Sequence, residues 1–122
     1  MDSPIYRVAV ASSDSVYVNM HFGRADRFLI VDVDEEGAYE IVETRRVRSV
    51  CLGGYHEKGA MKKGVEALLD CNYVLAARIG DGALAELEEH GITGFAIPGE
   101  IDDALYRMFE YLNLLKSLQG SG

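Results

Sequence analysis

Two short stretches carry the residue types that could do chemistry: HFGR at 21–24 and CLGGYHEKG at 51–59. The second brackets Gly53 and Gly54 between Cys51 and His56. A thiolate and an imidazole together suit iron, zinc or a metal–sulfur cluster, and the glycines let backbone approach a bulky ligand. The same stretch also reads as a glycine-rich turn between a strand and a helix, with a half-buried cysteine. His21 alone reads either as a ligand or as a hydrogen-bonding surface histidine. Arg78 with Gly80-Asp81-Gly82 is either an anion-facing helix start or an ordinary capped helix.

Other chemistries fit less well. Asp32 and Asp34 share one face of a strand and invite a two-metal nuclease. They fall at the wrong end of it, however, and the preceding strand, Ile5 to Ala11, carries no carboxylate. A thiol enzyme would need Cys51 activated by His21 or His56, with a third group to orient the base, and none is evident.

The elements that must position these residues follow from periodicity. IYRVAVA (5–11) is a buried strand ended by SSDS, and VYV (16–18) is a candidate for further extended chain. RFLIVDVD (27–34) is a strand, EEG a hairpin connection, and AYEIVETRRV a charged strand suited to a sheet edge. Met61, Val65, Leu68 and Leu69 line one face of a helix over about 57–69. NYVLAA (72–77) is a strand, and DGALAELEEHG a helix with Asp81 as N-cap and Gly91 past its end. ITGFAIPG supplies a last strand. Ile101, Leu105, Met108, Phe109, Leu112 and Leu115 form the apolar stripe of a final helix, and QGSG should fray.

The order βββαβαβα predicts an α/β fold with a five-stranded mixed sheet and helices packed on it, a topology resembling the ribonuclease H-like class. Right-handed crossovers would make the first, fourth and fifth strands parallel. One domain over 1–122 is expected, with its core at about 5–116 and 117–122 as a tail. Strand direction then sends 12–26, 48–56, 78–81 and 97–100 to one end, called the upper pole here. Ligands in such sheets bind outside the carboxyl ends of the parallel strands. His21, Cys51 and His56 should therefore meet there, while Cys71 and His90 fall at the lower pole.

Charge points the same way. Arg45, Arg46, Arg48, Lys58, Lys62 and Lys63 with Glu57 make the window 45–63 locally +5, on a chain that is −8 over its 122 residues. A basic segment beside Gly53-Gly54 and a helix N-terminus suits an anion. The acidic remainder repels phosphate backbones, so no nucleic-acid partner is expected. No apolar run approaches the roughly 20 residues that span a bilayer, and the start, MDSPIYRVAVA, lacks the pattern of a secretory leader. Two cysteines cannot build a disulfide framework, and a cytoplasmic location is expected.

NMHFGRADRFLIVDVD, CLGGYHEKGA, LLDCNYVLAARIGDGALAELEEHGI and PGEIDDAL, in this order and covering about Tyr6 to Leu115, resemble the dinitrogenase iron–molybdenum cofactor biosynthesis family. Its members include NifX, the NafY core and the C-terminal domain of NifB. The resemblance implies a ribonuclease H-like fold that is no nuclease. It also implies transient binding of an iron–sulfur or iron–molybdenum cofactor or precursor, passed between metallocofactor assembly proteins. His21 matches the histidine of the family's HFG element, the position most often linked to cofactor, and Cys51 and His56 match the NifB-like and NifX-like variant. With no CxxxCxxC motif, the chain is expected to be the bare binding domain.

The expectation is thus a non-enzymatic carrier, monomeric or weakly dimeric. Its ligands would be His21, Cys51 and His56, helped by Phe22, Gly23, Gly53, Gly54 and Arg78. The alternatives are a cluster-free interaction or regulatory domain, and a mononuclear zinc or iron site built from the same three ligands.

Overall fold

The structure, a computed structural model, describes residues 3–47 and 58–120. Cys51, Gly53, Gly54 and His56, and with them the expected CLGGYH ligands, lie outside the described residues.

The central sheet has five strands in the order β4-β3-β1-β5-β6. They are β1 (Pro4–Ala11), β3 (Arg27–Asp34), β4 (Tyr39–Arg46), β5 (Tyr73–Ala76) and β6 (Thr93–Ala96). β3 pairs antiparallel with β1 and with β4. β1, β5 and β6 run parallel, as expected of the first, fourth and fifth strands. Two strands of two residues, β2 (Tyr17–Val18) and β7 (Gly99–Glu100), form a separate antiparallel pair. Of VYV, Tyr17 and Val18 are thus extended, but β7 had no visible signal. At two residues it is too short for any period to register.

Alternation along the strands explains the layers. Ala9, Ala11, Phe28, Ile30, Val74 and Ala76 face one side and pack under α1 (Lys58–Glu66) and α2 (Asp81–Glu89). Val8, Val10, Leu29, Val31, Val33 and Leu75 face the other and pack on Ile101, Ala104, Leu105 and Met108 of α3 (Ile101–Gly120). β1 is buried on both faces because it lies at the centre, which is why its apolar run is continuous. Each fully buried side chain such as Leu29 or Leu68 contributes roughly 1.5–3 kcal/mol by leaving water. β4 is the charged edge, exposed along most of its length.

The helices differ from expectation at their ends. α1 stops at Glu66, and the chain tightens into turns in which Leu68 N–H donates to Val65 O and Cys71 N–H to Leu68 O. Leu68 is buried, whereas Leu69 stays exposed. Gly80, not Asp81, caps α2; Asp81 sits inside the first turn, where its charge still complements the helix dipole. At the other end Gly91 adopts φ +77 and Ile92 N–H reaches back to Leu87 O, the expected glycine stop. α3 continues through residues 117–120, where a tail was expected to begin. Among the described residues, no helix is long and apolar enough to cross a membrane.

Candidate functional site

The upper pole is the end of the sheet where β1, β5 and β6 finish. β1 delivers the chain into residues 12–19, a loop held by its own side chains. Asp14 accepts from the backbone N–H of Val16 and Tyr17 at 2.9 and 2.8 Å, and Ser15 N–H donates to Ser12 Oγ at 3.0 Å. Asn19 closes the loop by accepting from Ser13 N–H at 3.0 Å. Ser15 pays the local cost with φ +64. The N–H groups of Tyr17 and then Val16 hold the Asp14 carboxyl below its ordinary value. SSDS is therefore loop chemistry, a set of side chains spent on backbone.

The next turn carries HFGR. Phe22–Arg24 form one 3-10 turn, with Phe22 and Gly23 buried. The Phe22 ring lies in the core, 5.8 Å from the Phe28 ring. Anchored there, the loop is stitched to the end of β5: Ala77 N–H donates to Met20 O at 3.0 Å and Phe22 N–H to Arg78 O at 2.9 Å. These bonds make His21 and Arg78 a parallel bridge. Both side chains are exposed. An imidazole-bearing and a guanidinium-bearing residue, distant in sequence, are thus paired on a hydrogen-bonded seam at the carboxyl edge of the parallel strands. Phe22 acts as the peg that fixes this seam.

Several other candidates turn out to be structural. Asp32 is engaged by Arg7, Nε to Oδ1 at 2.7 Å and Nη2 to Oδ2 at 3.1 Å. Asp34 closes the β3–β4 hairpin by accepting from Glu36 and Ala38 N–H, with Gly37 at φ +88. Neither carboxylate is left over for metal. Arg45, counted in the basic window, is closed onto carboxylates of the chain itself. It donates to Asp70 at 2.7 and 3.0 Å, to Glu43 at 2.9 and 3.0 Å, and to Ala67 O at 3.0 Å. Cys71 is buried, and desolvation, followed by the nearby Asp70 charge, pushes its thiol up to about 12. His90 ends α2, its Nδ1 2.9 Å from Glu86 O.

A cleft of about 460 Å³ opens at the lower pole, between the C-terminal half of α3 and the starts of β1, β5 and β6. Its walls include Tyr6, Tyr73, Phe95 and Tyr111, whose rings contact one another in series. It presents no thiol or imidazole, so it has nothing to offer a soft metal.

The donor chemistry at the upper pole is consistent with metal-bearing cargo only as an open seat. Among the described residues, no three of His, Cys, Asp and Glu come together as a ligand set. His21 supplies one exposed imidazole there, with Arg24 and Arg78 as exposed cations. Arg24 was within reach of sequence reasoning, as part of HFGR itself.

Comparison with known proteins identifies the family. The sequence profile described as "Dinitrogenase iron-molybdenum cofactor" matches residues 4–111. The chain belongs to this family. A FeMo cofactor biosynthesis protein NifB from Herbaspirillum seropedicae is 40% identical over 85 residues, 70% of this chain and 16% of that protein. NifB of Chlorobaculum tepidum is 34% identical over 115 residues, 93% of this chain and 26% of that protein. The chain thus spans about a quarter or less of the curated relatives it matches. An NMR structure of a Thermotoga protein assigned to NifB is 28% identical with a TM-score of 0.58, covering 87% of this chain and 89% of that one. The crystal structure of PH0822, at 24% identity and TM-score 0.65, covers 86% and 91% and shares the fold.

Proposed function

We propose that the chain is a carrier for an iron–sulfur or iron–molybdenum cofactor, or a precursor of one, during metallocofactor assembly. The observation that carries this reading is the His21–Arg78 seam. It sets an exposed imidazole beside an exposed cation at the carboxyl edge of the parallel strands, in a chain of the iron–molybdenum cofactor family, which supports a ligand role for His21.

In this reading the cargo is an anionic metal–sulfur cluster. His21 is a nitrogen ligand, and Cys51 the soft sulfur ligand, with His56 as a third. Arg78 offsets negative charge and donates hydrogen bonds to sulfide or oxygen atoms. Gly53 and Gly54 let backbone N–H groups approach, while Phe22 and Gly23 keep the histidine loop in place. Holding cargo needs no bond-making turnover, so no catalytic residue is assigned. An exposed seat also favours release to an acceptor. The sheet order, with three strands of a meander followed by parallel crossovers, supports a ribonuclease H-like assignment for this single domain.

Anaerobic titration with extracted iron–molybdenum cofactor, read by visible absorption and metal analysis, tests the reading. Wild type should take up cofactor in stoichiometric amount, and the His21→Ala, Cys51→Ala double variant should not. Equal uptake by both chains would end the carrier reading. Stoichiometric zinc without sulfide would replace it with a mononuclear site.

A further inference from the structure

Arg27 opens β3 and Arg46 closes β4, and the register makes them direct partners across the antiparallel pair. Directly opposed residues project from the same face of a sheet, and like charges there are destabilising. The pair does not sit on a fraying end, because Val47 N–H donates to Asp26 O at 2.9 Å one step beyond it. Both guanidinium stems are therefore held in a continuing ladder at the upper corner of the sheet.

Among the described residues, neither arginine is closed onto an acid. Arg27 Nε is buried with no hydrogen-bond partner among the described residues. Its one carboxylate neighbour, Asp26, is 3.7 Å away, too far for a hydrogen bond. Among the described residues no carboxylate pairs with Arg46, nor with Arg24 in the adjoining turn. Arg7, Arg45 and Arg107 are each closed onto an acid at 3.0 Å or less. Two guanidinium groups on directly opposed residues, one with an orphaned, buried Nε–H, carry the several N–H donors that a planar or tetrahedral oxyanion binds best.

We propose that Arg27 and Arg46 form a seat for an oxyanion, a carboxylate or phosphate group, at the upper corner of the sheet, with Arg24 adding charge. As a second anchor for acidic groups on cargo, the seat rests on the carrier reading. As an oxyanion site it stands on the two arginines alone, and it can be tested without cargo.

The experiment follows arginine Nε–Hε signals by NMR in the full chain. Inorganic phosphate and succinate are titrated separately against chloride at constant ionic strength. The Arg27 and Arg46 signals should move saturably with at least one of the two, while Arg107 stays still. Whichever anion saturates at lower concentration identifies the group preferred. Arg46→Gln should weaken the response at Arg27 at least about tenfold, and the variant should melt no lower than wild type in chloride. Non-saturating shifts, shifts of equal size at Arg107, or an Arg46→Gln chain that responds like wild type would each overturn the seat. Because no cofactor is used, failure here leaves the carrier reading to its own titration, and the reverse holds too.

Discussion

The two poles of this sheet use arginine in opposite ways. Arg7, and Arg45 from the upper end of β4, reach Asp70 in the turn below β5, with Asp32 and Glu43 completing a network that ties β1, β3, β4 and the turn after α1 together. At the upper pole, Arg24, Arg46 and Arg78 pair with no carboxylate among the described residues. The acidic chain has carboxylates to spare, 20 Asp and Glu against 12 Lys and Arg, so scarcity does not explain the difference. Arg7 and Arg45 serve folding. Arg24, Arg46 and Arg78 have no carboxylate partner among the described residues.

The largest effect expected from this contrast is on stability. Arg7→Ala strands the nearly buried Asp32 carboxylate, and urea denaturation should lose about 2 kcal/mol, between the values for exposed and buried pairs. Arg78→Ala and Arg24→Ala should each stay within about 0.5 kcal/mol of wild type, since exposed, unpaired side chains are removed. Equal losses at both poles would erase the distinction.

Acid should reveal the same asymmetry. The Arg45 guanidinium, and then Arg7, hold the Asp70 carboxyl well below the ordinary carboxylate range, and Arg45 lowers Glu43. Folded values below unfolded ones mean stability that is present above about pH 4 and drains away as pH falls further. Asp70→Asn should have lower stability at pH 7 and a flatter decline below pH 4 than wild type. A parallel decline in both chains would contradict the network.

Much of this was legible before any coordinates. Alternation in RFLIVDVD and the continuous run in IYRVAVA give β3 and β1 their layers, and strand direction alone put HFGR and Arg78 at one pole. What could not be read depends on pairings distant in sequence. Nothing in the segment 45–63 announces that Arg45 belongs to Asp70, 25 residues away. Likewise Arg27 and Arg46 become opposed only through a register containing an irregularity between Ile30 and Val31. Asp81 looked like a cap because Asp is a good one, but Gly80 already holds the extended conformation that the position needs.

A smaller effect falls on Cys71. Burial pushes the Cys71 thiol up to about 12, so at pH 8 it should resist iodoacetamide in the native chain. Cys71 should be labelled in guanidinium but not in the native chain. Rapid native labelling of Cys71 would mean that the lower pole opens more readily than its packing implies.

The central claim is that cargo belongs to the upper pole alone. Anaerobic cofactor titration of two single variants tests it most directly: His21→Ala at the upper pole and Cys71→Ala at the lower. The account predicts at least about tenfold weaker uptake for His21→Ala and wild-type uptake for Cys71→Ala. The reverse pattern, or equal uptake by both variants and wild type, would contradict it.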